Sequence, residues 1–281
     1  MIKIRLSLTR GRIIRIHDEC HFFFTLQKIH LYLYLEIKMI TDYNRPVSEI
    51  VKLDYRTADV FKKWQLNFCC GGEAALMPLC ESKDVDFDLV VKELEEATRD
   101  FRVSNLVHFY EWKTDFLIDF IIHVHHDYIH QVLPALKSSL DAFALTHTHK
   151  FPELGSITEL IEKLSGMVMT YNRHEDEIIF PYMKQMYSAY KRNEVYGNLF
   201  VRTLRKPLHI VEKERLEIDE LLNELKRITR NFTPPLAVCS SYQVLISKLE
   251  ELYENLIQQQ FLERNVLFPK AKAIEQNLLQ R

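Results

Sequence analysis

The sequence predicts an all-α protein in which a small helical domain is followed by an up-down-up-down four-helix bundle. Glycine is scarce: it accounts for six of the 281 residues, or about 2%, whereas average usage is roughly 7%. Because strand-rich folds need many tight turns, this scarcity favours helices joined by few connections. Apolar residues also recur at helical spacing almost continuously from about Leu117 to Lys272, which is typical of long amphipathic helices.

Composition and charge exclude several functional classes. Hydrophobic residues make up 47% of the chain and charged residues 27%, a balance typical of folded soluble domains. The formal net charge is −2, and the chain lacks the basic stripe that nucleic-acid binding requires. Five cysteines in a chain without a clear secretory signal predict free thiols and a reducing, cytoplasmic location. We therefore expect no nucleic-acid partner.

The first 38 residues differ from the rest of the chain. They hold seven Lys and Arg against three Asp and Glu, and polar residues interrupt them before they reach the roughly 18 apolar residues of a membrane span. A second methionine, Met39, precedes a segment of ordinary domain composition. We expect translation to begin at Met39, with residues 1–38 a mis-assigned start, and we expect no membrane association. The competing interpretation is an extension that binds a membrane surface or a partner.

Residues 39–104 are predicted to form the small helical domain. A helix over about residues 57–67 places its apolar side chains on one face and breaks at Phe68-Cys69-Cys70-Gly71-Gly72, where glycine supplies the left-handed conformation that ends a helix. Another helix is expected near residues 86–101. Adjacent thiols at a helix end indicate metal, redox or cluster chemistry for Cys69 and Cys70. The alternative is that these cysteines are buried or incidental.

Residues 105–281 are predicted to form the bundle. The segment Thr233-Pro234-Pro235 is a strong helix stop, and Phe151-Pro152 marks an earlier connection. Four long helices with short connections are most simply arranged up-down-up-down. These helices are expected near residues 111–145, 156–190, 199–230 and 239–275.

The second and fourth bundle helices contain an internal repeat. The segment 175–181, Glu-Asp-Glu-Ile-Ile-Phe-Pro, matches the segment 263–269, Glu-Arg-Asn-Val-Leu-Phe-Pro. The repeat predicts two helix pairs related by a pseudo-two-fold axis, with Glu175 and Glu263 facing each other in the core. Two buried carboxylates without a cation are costly, so we expect a positive charge between them.

Several motifs resemble the repair-of-iron-centres proteins, a family of di-iron proteins linked to mending iron–sulfur clusters. The resemblance covers roughly residues 46–275. In the small domain it rests on Pro46-Val47-Ser48-Glu49-Ile50, Ala58-Asp59-Val60-Phe61, Asn67-Phe68-Cys69-Cys70-Gly71-Gly72 and the segment 76–80.

This resemblance implies a hemerythrin-like four-helix bundle and a cytoplasmic role in repairing iron–sulfur clusters after nitrosative or oxidative damage, including damage by nitric oxide. It implies an iron donor or repair protein rather than a turnover enzyme, with damaged iron–sulfur proteins as clients and a homodimeric state. Within that setting, Cys69 and Cys70 are expected to act as thiol or cluster-contacting residues.

The resemblance also implies a set of di-iron ligands, of which this chain has about half. Aligned on the family pattern, the first histidine falls on His126 and the bridging glutamates fall on Glu175 and Glu263. The three other histidine positions are occupied by different residues. These are Tyr171, Arg215 and Gln259.

Arg215 suggests how a degraded site would be neutralised. Arginine is permanently protonated and does not ligate iron, but it donates to carboxylates. We hypothesise that Arg215 pairs with Glu175 or Glu263 in place of part of the metal charge. The alternative is a mononuclear site, in which His126, Tyr171 and the two glutamates hold one iron or zinc.

Three functional hypotheses follow. The first is the iron–sulfur cluster repair protein that the resemblance implies, with its di-iron site degraded. The second is a metal-free or mononuclear hemerythrin-like scaffold, or a partner-binding module, in which only the cysteine domain is chemically active. The third, an oxygen or nitric-oxide sensor of hemerythrin type, is disfavoured by the loss of three histidines.

Overall fold

The computed structural model describes residues 44–69, 72–99, 107–194, 196–204, 210–236 and 238–280. Apart from one β-bridge between Pro46 and Ala75, the regular structure of these residues is helical, which confirms the predicted all-α fold. None of the described helices has the length and apolarity that crossing a bilayer requires. The predictions for residues 1–38, Cys70 and the boundary near residue 104 fall outside the described residues.

Chain contacts divide the protein into two units, each with its own core. The described part of the smaller unit comprises residues 44–67 and 72–97. Its helices are α1 (Val47–Leu53), α2 (Thr57–Lys63), α3 (Leu76–Lys83) and α4 (Phe87–Ala97). Ile50, Phe61, Leu76 and Leu94 are among the side chains that it buries completely or almost completely.

Helix α2 ends earlier than the periodicity predicted. The expected end was near Asn67, but the last helical residue is Lys63. Gln65 has a φ of 54°, a left-handed conformation that does not continue a right-handed helix. The Trp64 indole after the helix donates to Glu93 Oε2 over 2.9 Å, which ties the end of α2 to α4.

The larger unit is the four-helix bundle, and its helices agree with the expected positions to within a few residues. The first consists of α5 (Thr114–Phe120) and α6 (Asp127–His147), and the second of α7 (Glu153–His174) and α8 (Phe180–Lys191). The third contains α9 (Gly197–Leu204) and α10 (Ile210–Ile228), and the fourth contains α11 (Ser240–Leu262) and α12 (Phe268–Leu279). Helix α7 packs along both α6 and α10, and α11 packs along α6.

The bundle interior is filled by leucine and isoleucine at helical spacing. Leu133 of α6, Leu164 of α7, Leu225 of α10 and Leu249 of α11 all have no solvent-exposed surface. Burial of such side chains stabilises a domain by roughly 1.5 to 3 kcal/mol each. This apolar packing fixes the helices that carry the polar residues at the centre.

In the described part of the bundle, three π-helical turns interrupt these long helices, and sequence periodicity did not predict them. They span Ile121–His126, Glu175–Ile179 and Glu263–Leu267. In the second and third turns, the amide at the end donates to the carbonyl five residues earlier, from Phe180 to Glu175 and from Phe268 to Glu263. Such turns widen the backbone and occur frequently at functional sites.

Candidate metal centre

The three π-helical turns bring three buried ionisable side chains together. His126 ends the first turn, while Glu175 and Glu263 begin the second and third. One ligand atom from each of the three residues lies within 4.8 Å of the other two. Their exposed fractions are 1%, 0% and 0%. The repeated Glu-to-Phe-Pro segments therefore place the two carboxylates at one point of the bundle core.

Tyr171 lies at one of the positions where the family pattern has a histidine, one helical turn before Glu175. Its phenol is buried and donates to Glu263 Oε2 over 2.5 Å. Burial and the nearby carboxylates raise the pKa of Tyr171 well above its ordinary value, while the positive charge of Arg215 acts in the opposite direction. In this state the tyrosine is a neutral hydrogen-bond donor to a carboxylate.

His126 is oriented by a second carboxyl group. Its Nδ1 lies 2.9 Å from Asp176 Oδ1, and its Nε2 lies 3.3 Å from Glu175 Oε2. The ring also stacks on Phe180, with ring centroids 5.6 Å apart. A carboxylate on one ring nitrogen fixes the direction of the other nitrogen, as it does for histidine ligands in metal sites. Asp176 thus directs Nε2 towards the carboxylate cluster, a role that sequence reasoning missed although the residue follows Glu175 directly.

Gln259 lies at another position where the family pattern has a histidine, and its amide is hydrogen-bonded to the imidazole of His126. Its Nε2 lies 3.0 Å from His126 Nε2 and 3.1 Å from Asn172 Oδ1. In this orientation the amide donates to an unprotonated Nε2. If both amides are rotated, Gln259 Oε1 accepts from a protonated Nε2 and from Asn172 instead. Gln259 is therefore hydrogen-bonded to His126 Nε2 whether or not that nitrogen is protonated. Sequence reasoning did not identify Asn172 as the second hydrogen-bond partner of Gln259.

The protonation of the cluster follows from burial. Burial raises the pKa of both Glu175 and Glu263, and the charge of Glu175 raises that of Glu263 further. Burial alone would lower the pKa of His126, but Asp176 and Glu175 outweigh it and raise the pKa to about 9. The raised pKa values favour proton binding by the metal-free cluster, and a His126 imidazolium offsets the negative charge of the carboxyl groups that it contacts, those of Glu175 and Asp176. This charged ring is compatible only with the rotated Gln259 amide, whose oxygen accepts the proton.

Arg215 does not pair with the carboxylates, so the predicted ion pair is wrong. Among the described residues, neither Glu175 nor Glu263 forms an ion pair with it. Its guanidinium lies 5.6 Å from the Phe268 ring and lines a surface cavity with Arg264 and other residues. Its long side chain keeps the guanidinium hydrated and stacked, which avoids the cost of burying a permanent charge.

Despite this difference, Arg215 occupies the position that the internal symmetry predicts. His126 stacks on Phe180 of the first Phe-Pro segment, and Arg215 lies over Phe268 of the second. The two residues are thus equivalent in their contacts with the repeated segments. Their polar groups lie at different depths in the bundle. The His126 imidazole is buried in the core, whereas the longer Arg215 side chain places its guanidinium at the surface.

Two other histidines on the bundle lie outside the cluster. His125 is buried with its Nδ1 3.3 Å from Asn255 Oδ1, and His174 Nδ1 lies 3.0 Å from Glu214 Oε1. Of the predicted cysteines, Cys69 is half-buried and does not form a disulfide.

The residues of the cluster fit one cation better than two. Both oxygens of Glu175 and Oε1 of Glu263 are buried without a hydrogen-bond partner among the described residues, and a cation would satisfy them. One imidazole, two carboxylates and a nearby phenol form a plausible donor set for one iron or zinc ion. A second cation would need ligands from Gln259 and Arg215, and neither side chain supplies a metal-binding nitrogen.

A four-helix bundle that directs histidine and carboxylate side chains inward from paired helices defines a class of cation-binding proteins. The model of the hemerythrin HHE cation-binding domain matches residues 117–271, and a second domain model, a domain of unknown function termed ScdA_N or DUF542, matches residues 43–98. The chain belongs to the hemerythrin HHE cation-binding domain family.

The chain is also similar along most of its length to curated repair proteins. The iron–sulfur cluster repair protein YtfE of Escherichia coli O1:K1 / APEC is 27% identical over 237 residues, covering 83% of this chain and 98% of the relative. The proteins of the same name from Escherichia coli strain SMS-3-5 / SECEC and from Escherichia fergusonii match to the same extent. These relatives and the two domain models confirm the resemblance to the repair-of-iron-centres proteins.

The two buried carboxyl groups yield a first prediction about stability. In metal-free protein, Glu263→Gln should raise the free energy of unfolding at pH 7.5 by about 1 to 3 kcal/mol, because it removes a buried ionisable group next to Glu175 and its amide oxygen still accepts from Tyr171. Urea denaturation measures the change. Glu159→Gln, on the exposed face of α7, is the control and should be neutral. A destabilised Glu263→Gln variant would contradict the prediction.

A second prediction concerns pH. Because the pKa of His126 is raised from 6.5 to about 9, its protonation stabilises the metal-free fold fully below pH 6.5, and this contribution is lost as pH rises towards 9. The linkage amounts to roughly 3 kcal/mol. The raised pKa values of Glu175 and Glu263 act in the same direction, since their contribution is lost as pH rises above about 4.5.

The measurement is urea denaturation of chelator-treated protein at intervals across this range of pH. The His126→Gln variant should lose much less stability between pH 6.5 and 9 than the unsubstituted protein. Equal losses in the two proteins would show that His126 does not carry the linkage.

Proposed function

We propose that this protein takes part in the repair of iron–sulfur clusters under nitrosative or oxidative stress, and that it handles one metal ion at the His126-Glu175-Glu263 cluster. The observation that carries the proposal is this buried cluster, in which three of the four carboxylate oxygens lack a hydrogen-bond partner among the described residues. The similarity to proteins named for iron–sulfur cluster repair supports the biological role. We propose a cytoplasmic iron donor or repair protein, not a turnover enzyme.

The donor set determines how the chain would hold the metal. His126 Nε2 and one oxygen each from Glu175 and Glu263 are the first three ligands, and Tyr171 is the fourth when its phenol loses the proton that it now donates to Glu263. A bound iron would supply an exchangeable ion with two accessible oxidation states. Asp176 holds the imidazole in position, and burial of the three side chains excludes water. We therefore propose that a mononuclear site takes the place of the family's di-iron site in this chain.

Gln259 restricts access of the metal to His126. Its amide lies 3.0 Å from His126 Nε2, the atom that a metal needs, so metal binding has to break this hydrogen bond. Breaking a buried hydrogen bond costs on the order of 1 kcal/mol. Gln259 therefore favours weaker, reversible binding, which suits a protein that delivers its ion to a client.

The test of this proposal is the metal content and visible spectrum of protein purified from iron-replete cells. One iron per chain is expected, with a phenolate-to-iron charge-transfer band in the ferric protein. Tyr171→Phe should retain the metal and lose the band, whereas Glu263→Gln should lose the metal. Two irons per chain with the absorption of an oxo-bridged pair would contradict the mononuclear proposal.

The position of Gln259 gives a third prediction. Gln259→Leu should bind Zn²⁺ or Co²⁺ roughly tenfold more tightly than the unsubstituted protein, because the metal no longer competes with a hydrogen bond to His126. Competition titration with a chromophoric chelator measures the affinity. Gln260→Leu, at the adjacent buried position, is the matched control. Unchanged affinity in Gln259→Leu would show that the amide does not restrict the site.

The second candidate function is a metal-free scaffold or partner-binding module, in which only the cysteine segment is reactive. The hydrogen bond from Tyr171 to Glu263 and the raised pKa of His126 favour it, because they give the cluster a neutral state without metal. Colourless protein without metal, and with a melting temperature unaffected by chelators, would support this function. In either case we propose damaged iron–sulfur proteins as clients and a homodimer as the active state.

A further inference from the structure

Two half-buried thiols, those of Cys69 and Cys239, are in contact within the larger unit. Residues 68 and 69 are grouped with the bundle rather than with the smaller unit. The Cys69 and Cys239 thiols are hydrogen-bonded to each other, and neither cysteine forms a disulfide. Two neighbouring free thiols are the starting arrangement for a disulfide, which requires the two cysteines to lie close together. The function proposed above does not use Cys239.

The backbone fixes Cys239 at the start of a long helix. It is the N-cap of α11, with φ −72° and ψ 159°, and its carbonyl accepts from the Tyr242 amide over 3.1 Å. Burial and contact with Cys69 raise the pKa of the Cys239 thiol, whereas the first-turn amides of Tyr242 and Ser241 act in the opposite direction. Free amides and the positive end of the helix dipole stabilise a thiolate that forms there.

Cys80 provides an internal contrast. It lies on α3 with no exposed surface, and burial raises the pKa of its thiol. A buried thiol of this kind packs as a small apolar side chain and is chemically inert. Reactivity towards a dissolved oxidant is thus expected at Cys69 and Cys239 but not at Cys80.

We propose that Cys69 and Cys239 form a thiol–disulfide exchange site that is oxidised by low-molecular-weight disulfides such as glutathione disulfide. The Cys69 thiolate attacks one sulfur of glutathione disulfide, which forms a mixed disulfide and releases one glutathione thiolate. The Cys239 thiolate then attacks the Cys69 sulfur and releases the second glutathione. Each cysteine sulfur loses one electron, the two electrons reduce glutathione disulfide, and the two thiol protons convert the released thiolates to glutathione.

Oxidation has a defined structural result. It joins residue 69 covalently to the first turn of α11 and removes the Cys69 thiol from contact with a cluster or metal. The proposal is independent of the metal site, because neither cysteine belongs to the His126-Glu175-Glu263 cluster. Under oxidising stress, the site therefore controls the availability of the thiol that the sequence marks as reactive.

The experiment is peptide mass spectrometry on the full chain after incubation with glutathione disulfide. Free thiols are alkylated, the monomeric fraction is isolated and digested with trypsin without reduction, and the peptides are sequenced. Tryptic cleavage gives one peptide of residues 64–83 and another of residues 231–248. The first contains three cysteines, so Cys70→Ser and Cys80→Ser variants are analysed in parallel to assign the linkage.

We expect a linkage between the two peptides in the unsubstituted protein and in both parallel variants. Cys239→Ser should abolish it and leave glutathione attached to Cys69. In denaturing guanidinium chloride, linkage should form at least about tenfold more slowly, because the fold holds the thiols together. A linkage that persists in Cys69→Ser, a Cys69–Cys70 disulfide, or glutathione adducts without linkage in the unsubstituted protein would overturn the proposal.

Discussion

Two buried carboxyl groups face each other at the centre of the bundle, and the need to neutralise them determines the side chains around them. Glu175 and Glu263 have no exposed surface, and ionising both in an apolar interior would cost far more than the stability of a typical domain allows. His126 and Tyr171 meet this need in different ways. The imidazole supplies a positive charge, and the phenol supplies a strong hydrogen bond to Glu263.

The backbone has adapted to bring these groups together. Each carboxyl residue begins a π-helical turn that ends before a Phe-Pro pair, and proline cannot donate the amide hydrogen bond of a regular α-helix. The phenylalanine of each Phe-Pro pair then contacts the equivalent residue on the preceding bundle helix, which is His126 for Phe180 and Arg215 for Phe268. The same π-helical turn and Phe-Pro pair therefore pack against a polar core residue in one helix pair and against a surface cation in the other.

Sequence patterns predicted the features that depend on periodicity and repetition. Helix positions, the connection at Thr233-Pro234-Pro235 and the facing of Glu175 and Glu263 follow from apolar spacing and from the repeated segments. The π-helical turns were missed because each spans only five or six residues, too short a segment for its different period to be recognised in the apolar pattern. Asp176 was missed because an acidic residue beside Glu175 is indistinguishable in sequence from a solvated charge. The direction of Arg215 depends on a balance between hydration and burial that spacing does not encode.

The replacement of histidine by tyrosine and glutamine changes the balance between protons and metal at the site. Where histidines would offer lone pairs to a cation, the Tyr171 phenol donates to Glu263, and the Gln259 amide is hydrogen-bonded to His126 Nε2. These hydrogen bonds stabilise the cluster without metal, and a cation has to displace them together with the protons held by the buried groups. We therefore propose that the substitutions lower the affinity for a cation relative to the protonated state without removing the capacity to bind one. Weaker binding shortens the residence time of the ion, and an ion that leaves readily is one that can be transferred to another protein.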